Sequence, residues 1–506
     1  MKLNVSSVGK IYKNNYSADK AAITFKDENI TYRDLDDKVI AFANFLRGAG
    51  LAPGDKCILD ASNLPEFLYT YLGVVRNGAV IVPVNPMLTL EELTFIAHDA
   101  DAKYMLIQEG VMLKHRYAKE TLEEALGVRV FVLNEALIRE IDAAPREDFD
   151  LVSDIDSIST FLYTSGTTGK PKAAMLTHSN LLANSGQCYE ALETTPDDIF
   201  MCVLPMFHVF AFTACVLLPL YSGGTTDIVE EFRPKEVIAG LIGKDITVFM
   251  GVPAMYMVLI EAGKKNITFP KLKLAISGGA ALPVEVYHQA KETIHLPIIE
   301  GYGLTESSPG AVFNPPSGVQ KPGAIGLPLP QMECRIGGED DEELPMGEVG
   351  ELLMKGPNIM AGYYKQPEET AATLRNGWLH TGDLAKKDED GYIYIVDRKK
   401  DMIVVSGLNV YPREVEEVLY KYPSVKEAAV VGAPDKLRGE AVVAYVVLKE
   451  GETAHSKEIL RYLKSKLAAY KLPRRIEVVD SLPKNSTGKI LKRMLRENSE
   501  GVVMNS

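Results

Sequence analysis

The chain is poor in the residues that build covalent or metal frameworks. Its five cysteines, Cys57, Cys188, Cys202, Cys215 and Cys334, are odd in number and form no CxxC pair. That disfavours a disulfide scaffold and points to a reduced, cytosolic setting, with peripheral membrane association left open. The eight histidines form no HxxxH or comparable cluster, so no zinc centre is expected. The first residues, Met1-Lys2-Leu3-Asn4-Val5, lack the apolar core of a signal peptide. Basic residues are outnumbered, giving a net charge of −13. General nucleic-acid binding wants the opposite surface, although a local basic patch stays compatible. Neither an internal repeat nor a low-complexity tract is present. One uncharged run, residues 200–221, is long enough to cross a bilayer. Pro205, His208 and Pro219 interrupt it, and Asp198 and Gly223-Gly224 bound it. The expectation is a strand, a loop and a buried helix, with no integral membrane span.

What is present is a large apolar inventory, 46% of 506 residues, which is too long for one core and implies several domains. Short apolar runs alternate with helical patterns over much of the first four hundred residues. Residues 79–84 and 272–277 read as buried strands. Residues 64–76 read as a helix with Pro65 near its start, and Pro283 opens another. This alternation predicts parallel sheets with helices on their faces. Residues 347–364 change to short strands and turns, a smaller β-rich unit. Asp397-Arg398-Lys399-Lys400-Asp401 interrupts two apolar strands, 392–396 and 402–405. Such a charged run is either a solvated hairpin turn or a boundary. We place a boundary there, between domains 1–398 and 399–506. In the second, Pro412 starts a helix with Val415, Val418 and Leu419 on one face. Strands follow at 428–431 and 441–448, then an amphipathic helix at 456–467.

The most chemically specific stretch is Thr164-Ser165-Gly166-Thr167-Thr168-Gly169-Lys170-Pro171-Lys172, following the strand-like Thr160-Phe161-Leu162-Tyr163. Glycines let backbone N–H groups converge, hydroxyls donate and lysines add charge, as a polyphosphate requires. It is not a Walker loop. Only two residues separate Gly166 from Gly169, and Pro171 stands where a metal-binding hydroxyl would be. Alone, it reads equally well as a surface turn.

In company, the loop resembles the signature of the adenylate-forming enzymes: acyl-CoA synthetases, aryl-CoA ligases, luciferases and peptide-synthetase adenylation domains. Further motifs of that family follow in order. They are Ser277-Gly278-Gly279-Ala280, Gly301-Tyr302-Gly303-Leu304-Thr305-Glu306, Trp378-Leu379-His380-Thr381-Gly382-Asp383, Asp397-Arg398-Lys399-Lys400-Asp401, Ser406-Gly407-Leu408-Asn409 and Pro483-Lys484-Asn485-Ser486-Thr487-Gly488-Lys489. A weaker likeness extends to Ile30-Thr31-Tyr32-Arg33-Asp34-Leu35 and Val84-Asn85-Pro86. The resemblance implies an α/β fold: a large N-terminal domain of parallel-type sheets flanked by helices, a small β-rich subdomain, and a small mobile α+β C-terminal domain.

It also implies a reaction in two halves. A carboxylate attacks the α-phosphorus of ATP, and coenzyme A then displaces AMP from the acyl-adenylate. The first half needs no general base, because a carboxylic acid is already ionised. It needs positioning and charge neutralisation. By resemblance, Thr164, Ser165, Gly166, Thr167, Thr168, Gly169, Lys170 and Lys172 hold phosphates. Glu306, with Thr164, binds Mg²⁺. Lys489 bridges carboxylate and α-phosphate, and Thr305 touches the α-phosphate. Gly278, Gly279 and Ala280 let adenine approach the backbone, Tyr302 offers a face for stacking, and Gly301 and Gly303 count among the cofactor-binding residues. Asp383 and Arg398 take the ribose, although Thr381-Gly382-Asp383 alone would read as an Asx-type turn. Lys400 is the hinge. Ser406 and Gly407 border the pantetheine path, and Arg474 meets the nucleotide end of coenzyme A.

The acid is read from Pro205-Met206-Phe207-His208-Val209-Phe210-Ala211-Phe212, which has no aspartate for an α-amino group. His208 borders the carboxylate by resemblance, or is simply a core histidine. Phe207, Val209, Phe210, Phe212, Met250, Gly251 and Val252 form an apolar pocket. The expected activity is a hydrophobic acid–CoA ligase, with medium- to long-chain fatty acids ahead of aryl or alicyclic acids. An acyl-AMP ligase loading a carrier protein and a non-catalytic nucleotide-binding regulator are the alternatives. ATP, Mg²⁺ and coenzyme A are the expected cofactors, and a homodimer stays open.

Overall fold

A computed structural model describes residues 4–7, 17–151, 154–165, 171–435, 437–485 and 488–503. Two large sheets carry most of the chain. The first has nine strands, in the order Leu327–Pro328, Gly310–Phe313, Ile298–Gly303, Leu274–Ser277, Val248–Gly251, Ile199–Cys202, Thr225–Ile228, Ala21–Phe25 and Glu28–Thr31. Its centre is parallel, and antiparallel strands close both edges. The second has seven strands, from Gly362–Tyr363 through Pro171–Thr177, Ile158–Ser165, Val80–Pro83, Lys56–Asp60 and Ala102–Gln108 to Arg129–Leu133.

Burial explains the parallel strands. Val80–Pro83, Val248–Gly251 and Leu274–Ser277 are buried at every position, as continuous apolar runs covered on both faces require. The helices Pro65–Arg76 and Val284–Thr293 start at the prolines that predict them. The uncharged run resolves into the strand Ile199–Cys202 and a buried helical stretch. That stretch is α-helical at Val209–Ala211, a π-helix over Phe212–Leu217, and α-helical again to Ser222. Among the described residues no helix is long and apolar enough to cross a membrane.

The structure departs from the sequence expectation at residues 347–364, which do not form one small unit. Gly350–Lys355 joins a four-stranded antiparallel sheet with Glu333–Gly337, Leu379–Lys387 and Ile393–Arg398, whereas Gly362–Tyr363 pairs with Pro171–Thr177 in the seven-stranded sheet. The strands flanking residues 399–401 do not pair with each other, so the charged run is not a hairpin turn. Ile393–Arg398 ends the four-stranded sheet, and Ile403–Val405 begins another with Leu408–Val410, Gly439–Leu448, Val425–Asp435 and Arg475–Val478. This last sheet has its own core, including Val415, Leu419, Val430, Val442 and Leu463.

Candidate active site

The phosphate-loop candidate lies between two paired antiparallel strands, with Thr164 opposite Lys172 and Ser165 opposite Pro171. The calls at Gly166, Thr167, Thr168, Gly169 and Lys170 fall outside the described residues, as do Ser486 and Thr487. Lys172 is buried. Its ammonium contacts the Glu369 carboxylate and lies 4.5 Å above the Tyr363 ring. The Tyr363 hydroxyl donates to Glu306 Oε1 at 2.7 Å. A strand pairing, an ion pair and a ring therefore link the loop's exit to Glu306. No sequence spacing signals Tyr363 or Glu369.

Thr305 and Glu306 sit on a single 3₁₀ turn, Thr305–Ser307. An amide network fixes that turn. Asn358 donates to the carbonyls of Ser307 and Gly310, and Asn184 holds Gly310 through both its carbonyl and its N–H. Among the described residues no three His, Cys, Asp or Glu side chains converge as a metal cage. A divalent ion here would depend on one carboxylate plus substrate phosphates and water. That is how Mg²⁺ is commonly held, so the donor set fits it.

Beside the turn, the Tyr302 hydroxyl donates to Asp383 Oδ2 at 2.6 Å. Asp383 lies opposite Arg398 in the strand register, with Arg398 Nε 3.6 Å from Asp383 Oδ1. The Thr381 hydroxyl accepts from the Asp383 N–H, so the predicted local turn exists and aims the carboxylate. Gly301 and Gly303 are glycines for an internal reason. A Cβ would come 2.1 Å from Phe313 Cε1 at the first and 1.9 Å from the Pro309 carbonyl oxygen at the second. Gly278 is met by Phe210, whose Cζ would lie 3.0 Å from an added Cβ, and Gly279 has φ +75°. Ala280 follows, half-buried.

The apolar residues separate into two groups. Phe207, Val209 and Phe212 line one small cavity with Tyr71, Leu181 and Met206, and the Phe212 ring stacks on Tyr71 at 3.8 Å. Phe210 and Gly251 instead approach Gly278, while Met250 is fully packed in its strand. His208 lies between the groups. Its Nδ1 accepts from the Phe210 N–H at 3.2 Å, which leaves Nε2 to carry the proton as a donor. Burial pulls its pKa down to about 4, assisted by the charge of Lys489. The imidazole is therefore neutral at ordinary pH.

Lys489 follows the last strand of the C-terminal sheet, just before an isolated bridge between Lys484 and Ile490 closes. Asn485 grips it twice. The Asn485 N–H donates to the Lys489 carbonyl, and the Lys489 N–H donates to Asn485 Oδ1. Gly488, at φ +81°, approaches the residue that follows the Val248–Gly251 strand: a Cβ there would sit 3.3 Å from Val252 Cγ2. Burial pushes the Lys489 ammonium down to about 8; Arg398 and Lys400 add to the fall, and Asp383 and Asp401 oppose it. The Lys400 pKa is lowered as well, mainly by burial.

Ser406, Gly407 and Arg474 are not brought to this cluster. Ser406 and Gly407 form an exposed turn with positive φ at both, and nothing lies within 4 Å of a Cβ at Gly407. Arg474 pairs with Asp435 at 3.3 Å on the surface.

Two family models match the chain: AMP-binding enzyme over residues 12–364, and AMP-binding enzyme C-terminal domain over residues 414–489. A long-chain-fatty-acid–CoA ligase of Bacillus subtilis is 35% identical over 95% of this chain and 92% of that protein. A feruloyl-CoA synthase of an Amycolatopsis species is 36% identical over 92% and 93%. The crystal structure of ATP-bound MatB from Rhodopseudomonas palustris superposes with a TM-score of 0.91 at 32% identity, covering 98% of this chain and 99% of that one. Its ligand-free form gives 0.81, with the same shares covered. With both family models matched and relatives aligned over more than nine-tenths of its length, the chain belongs to the AMP-binding enzymes, the adenylate-forming superfamily, in its acyl-CoA synthetase branch.

Proposed function

We propose that this chain joins a hydrophobic carboxylic acid to coenzyme A at the expense of ATP, through an acyl-adenylate. A carboxylate oxygen bonds to the α-phosphorus, and the α–β bridging bond breaks with its electrons leaving on pyrophosphate. The thiol sulfur then bonds to the acyl carbon, AMP leaves, and the thiol proton goes to solvent. The observation that carries the reading is the position of Lys489. Its loop leaves the C-terminal sheet, packs on Val252, and sets the ammonium within electrostatic reach of His208, Asp383 and Arg398. A cation held there, short of water, is spent on developing phosphoryl charge.

The other roles follow from the same arrangement. Tyr302 supplies a face for adenine, and Asp383 with Arg398 takes the ribose hydroxyls. His208 donates from Nε2 to the substrate carboxylate. Mg²⁺, held by Glu306 and Thr164, would screen the triphosphate against the incoming carboxylate. We assign residues 1–398 and 399–506 to two lobes turning about Lys400. The present arrangement is that of the first half-reaction, a reading supported by the better superposition on the ATP-bound neighbour. Coenzyme A would enter after rotation brings Ser406 and Gly407 inward.

A fatty acid is the leading substrate, on the likeness to the Bacillus ligase. An aryl acid is the second reading, on the equal likeness to the feruloyl-CoA synthase. A panel of fatty, aromatic and alicyclic acids, scored for AMP formation with coenzyme A, tests both. Absence of AMP with every acid would reject the activity.

A further inference from the structure

Away from the reacting groups, a buried charged pair crosses between the two large regions of the chain. Glu300 lies in the Ile298–Gly303 strand, immediately before Gly301-Tyr302-Gly303. Arg413 lies in the first turn of the Pro412–Tyr420 helix, beyond Lys400. Arg413 Nη2 stands 3.8 Å from Glu300 Oε1, with side chains 13% and 6% exposed. This is an ion pair rather than a hydrogen bond. Arg413 Nη1 also donates to the Ile395 carbonyl, and its backbone N–H donates to Asp397. One turn along the same helix, Glu417 accepts from the Val284 N–H at the start of the Val284–Thr293 helix.

We propose that Glu300 and Arg413 are positioning residues for the first half-reaction: their buried ion pair docks the C-terminal lobe so that Lys489 reaches the acid and the α-phosphate. This rests on the function proposed above. Glu300 is covered by Leu282, whose N–H it accepts at 3.0 Å, and it lines a small cavity with Tyr287 and Lys321. Lys321 is engaged by Asp388 and Asp390, and the Tyr287 hydroxyl donates to Gln320. Glu417 faces Glu300 as a like charge. Arg413 is therefore the cation that stabilises the carboxylate. Burial holds the Glu300 carboxyl up at about 7, with Arg413 pulling it down and Glu417 opposing. Undocking takes away that cation, which raises the carboxyl's affinity for a proton, and also uncovers the group, which lowers it; burial is the larger of the two influences.

Docking can be read without chemistry. Cysteines at Val252→Cys and Gly488→Cys face each other only when the lobes are docked, and the native cysteines are all buried. Arg413→Met should slow their oxidative cross-linking at least about tenfold, because docking then buries a bare carboxylate. Adding Glu300→Gln should restore most of that rate. On otherwise native protein, Arg413→Met should slow pyrophosphate release by a similar factor while ATP KM stays within about threefold. Thioester formation from supplied acyl-adenylate should persist. Should Arg413→Met fail to fold, Glu300→Gln alone should slow cross-linking, because Arg413 is then buried without its carboxylate. Unchanged cross-linking, equal loss of both half-reactions, or no restoration by Glu300→Gln would overturn the proposal. A wild-type protein that cross-links but activates no acid would instead reject the proposed function and leave the catch standing.

Discussion

Lys489 offers the sharpest test of the chemistry, because its environment sets both a rate and a pH. Burial holds its pKa at about 8 instead of 10.5, a penalty of roughly 3 kcal/mol against the ammonium. The reaction uses the cation, so activity is full below that pKa and lost above it. The kcat/KM for pyrophosphate release reports the free enzyme, and it should fall about tenfold per unit above pH 8. An unperturbed lysine would hold its rate past pH 10. Lys489→Arg should shift the alkaline limb beyond the accessible range even if its rate is lower, since guanidinium stays charged. Lys489→Ala should lose about 10²–10³-fold in adenylation at neutral pH, yet still make thioester from supplied acyl-adenylate. Binding the triphosphate should draw a proton onto the lysine, up to about one at pH 9, measurable by calorimetry in buffers of different ionisation enthalpy. A profile flat to about pH 9.5, or an identical alkaline limb in Lys489→Arg, would refute the assignment.

Three further outcomes follow from the geometry. At Gly407 an added Cβ meets no atom within 4 Å, although φ +82° strains any side chain there, so in Gly407→Leu adenylation should survive within a few-fold while thioester formation from acyl-adenylate drops at least about tenfold; a normal second half-reaction would remove Gly407 from the thiol path. Tyr363→Phe deletes the 2.7 Å bond to Glu306, and the Mg²⁺ concentration for half-maximal rate should rise roughly tenfold; an unchanged Mg²⁺ titration counts against Glu306 as its ligand. Gly303→Ala must separate a pair of hydrogen-bonded strands, since its Cβ would lie 1.9 Å from the Pro309 oxygen, and should cost about 3 kcal/mol or more in a denaturation measurement.

The sequence announces functions that live in short contiguous motifs, because a loop's backbone and its side chains are specified together. Asp383 and Lys489 are singled out for that reason, and the structure brings them within electrostatic reach of each other. Pairings between distant segments are not legible in this way. Nothing near Glu300 marks it as the partner of Arg413, and nothing near Lys172 marks Glu369. In the sequence Gly301 and Gly303 are nucleotide-binding candidates, yet packing against Phe313 and Pro309 already requires glycine at both. The seven apolar pocket candidates read as one wall. The turn at His208 and the π-helix after it send Phe210 towards Gly278 and Phe212 towards Tyr71. Whether strands 393–398 and 403–405 pair with each other is equally hidden, because alternation along a strand carries no record of which sheet receives it.

Gly362–Tyr363 is only two residues long, yet it edges the sheet whose next strand, Pro171–Thr177, follows the candidate phosphate loop. Its tyrosine holds Glu306, and the neighbouring Lys172 is anchored by Glu369 on a short helix nearly two hundred residues downstream. Lys172 and Glu306 are thus tied through one edge strand, braced from the outer surface. Wear at that brace, such as Glu369 replaced by a smaller neutral side chain, should be felt first as sloppier handling of the triphosphate, with the fold itself intact.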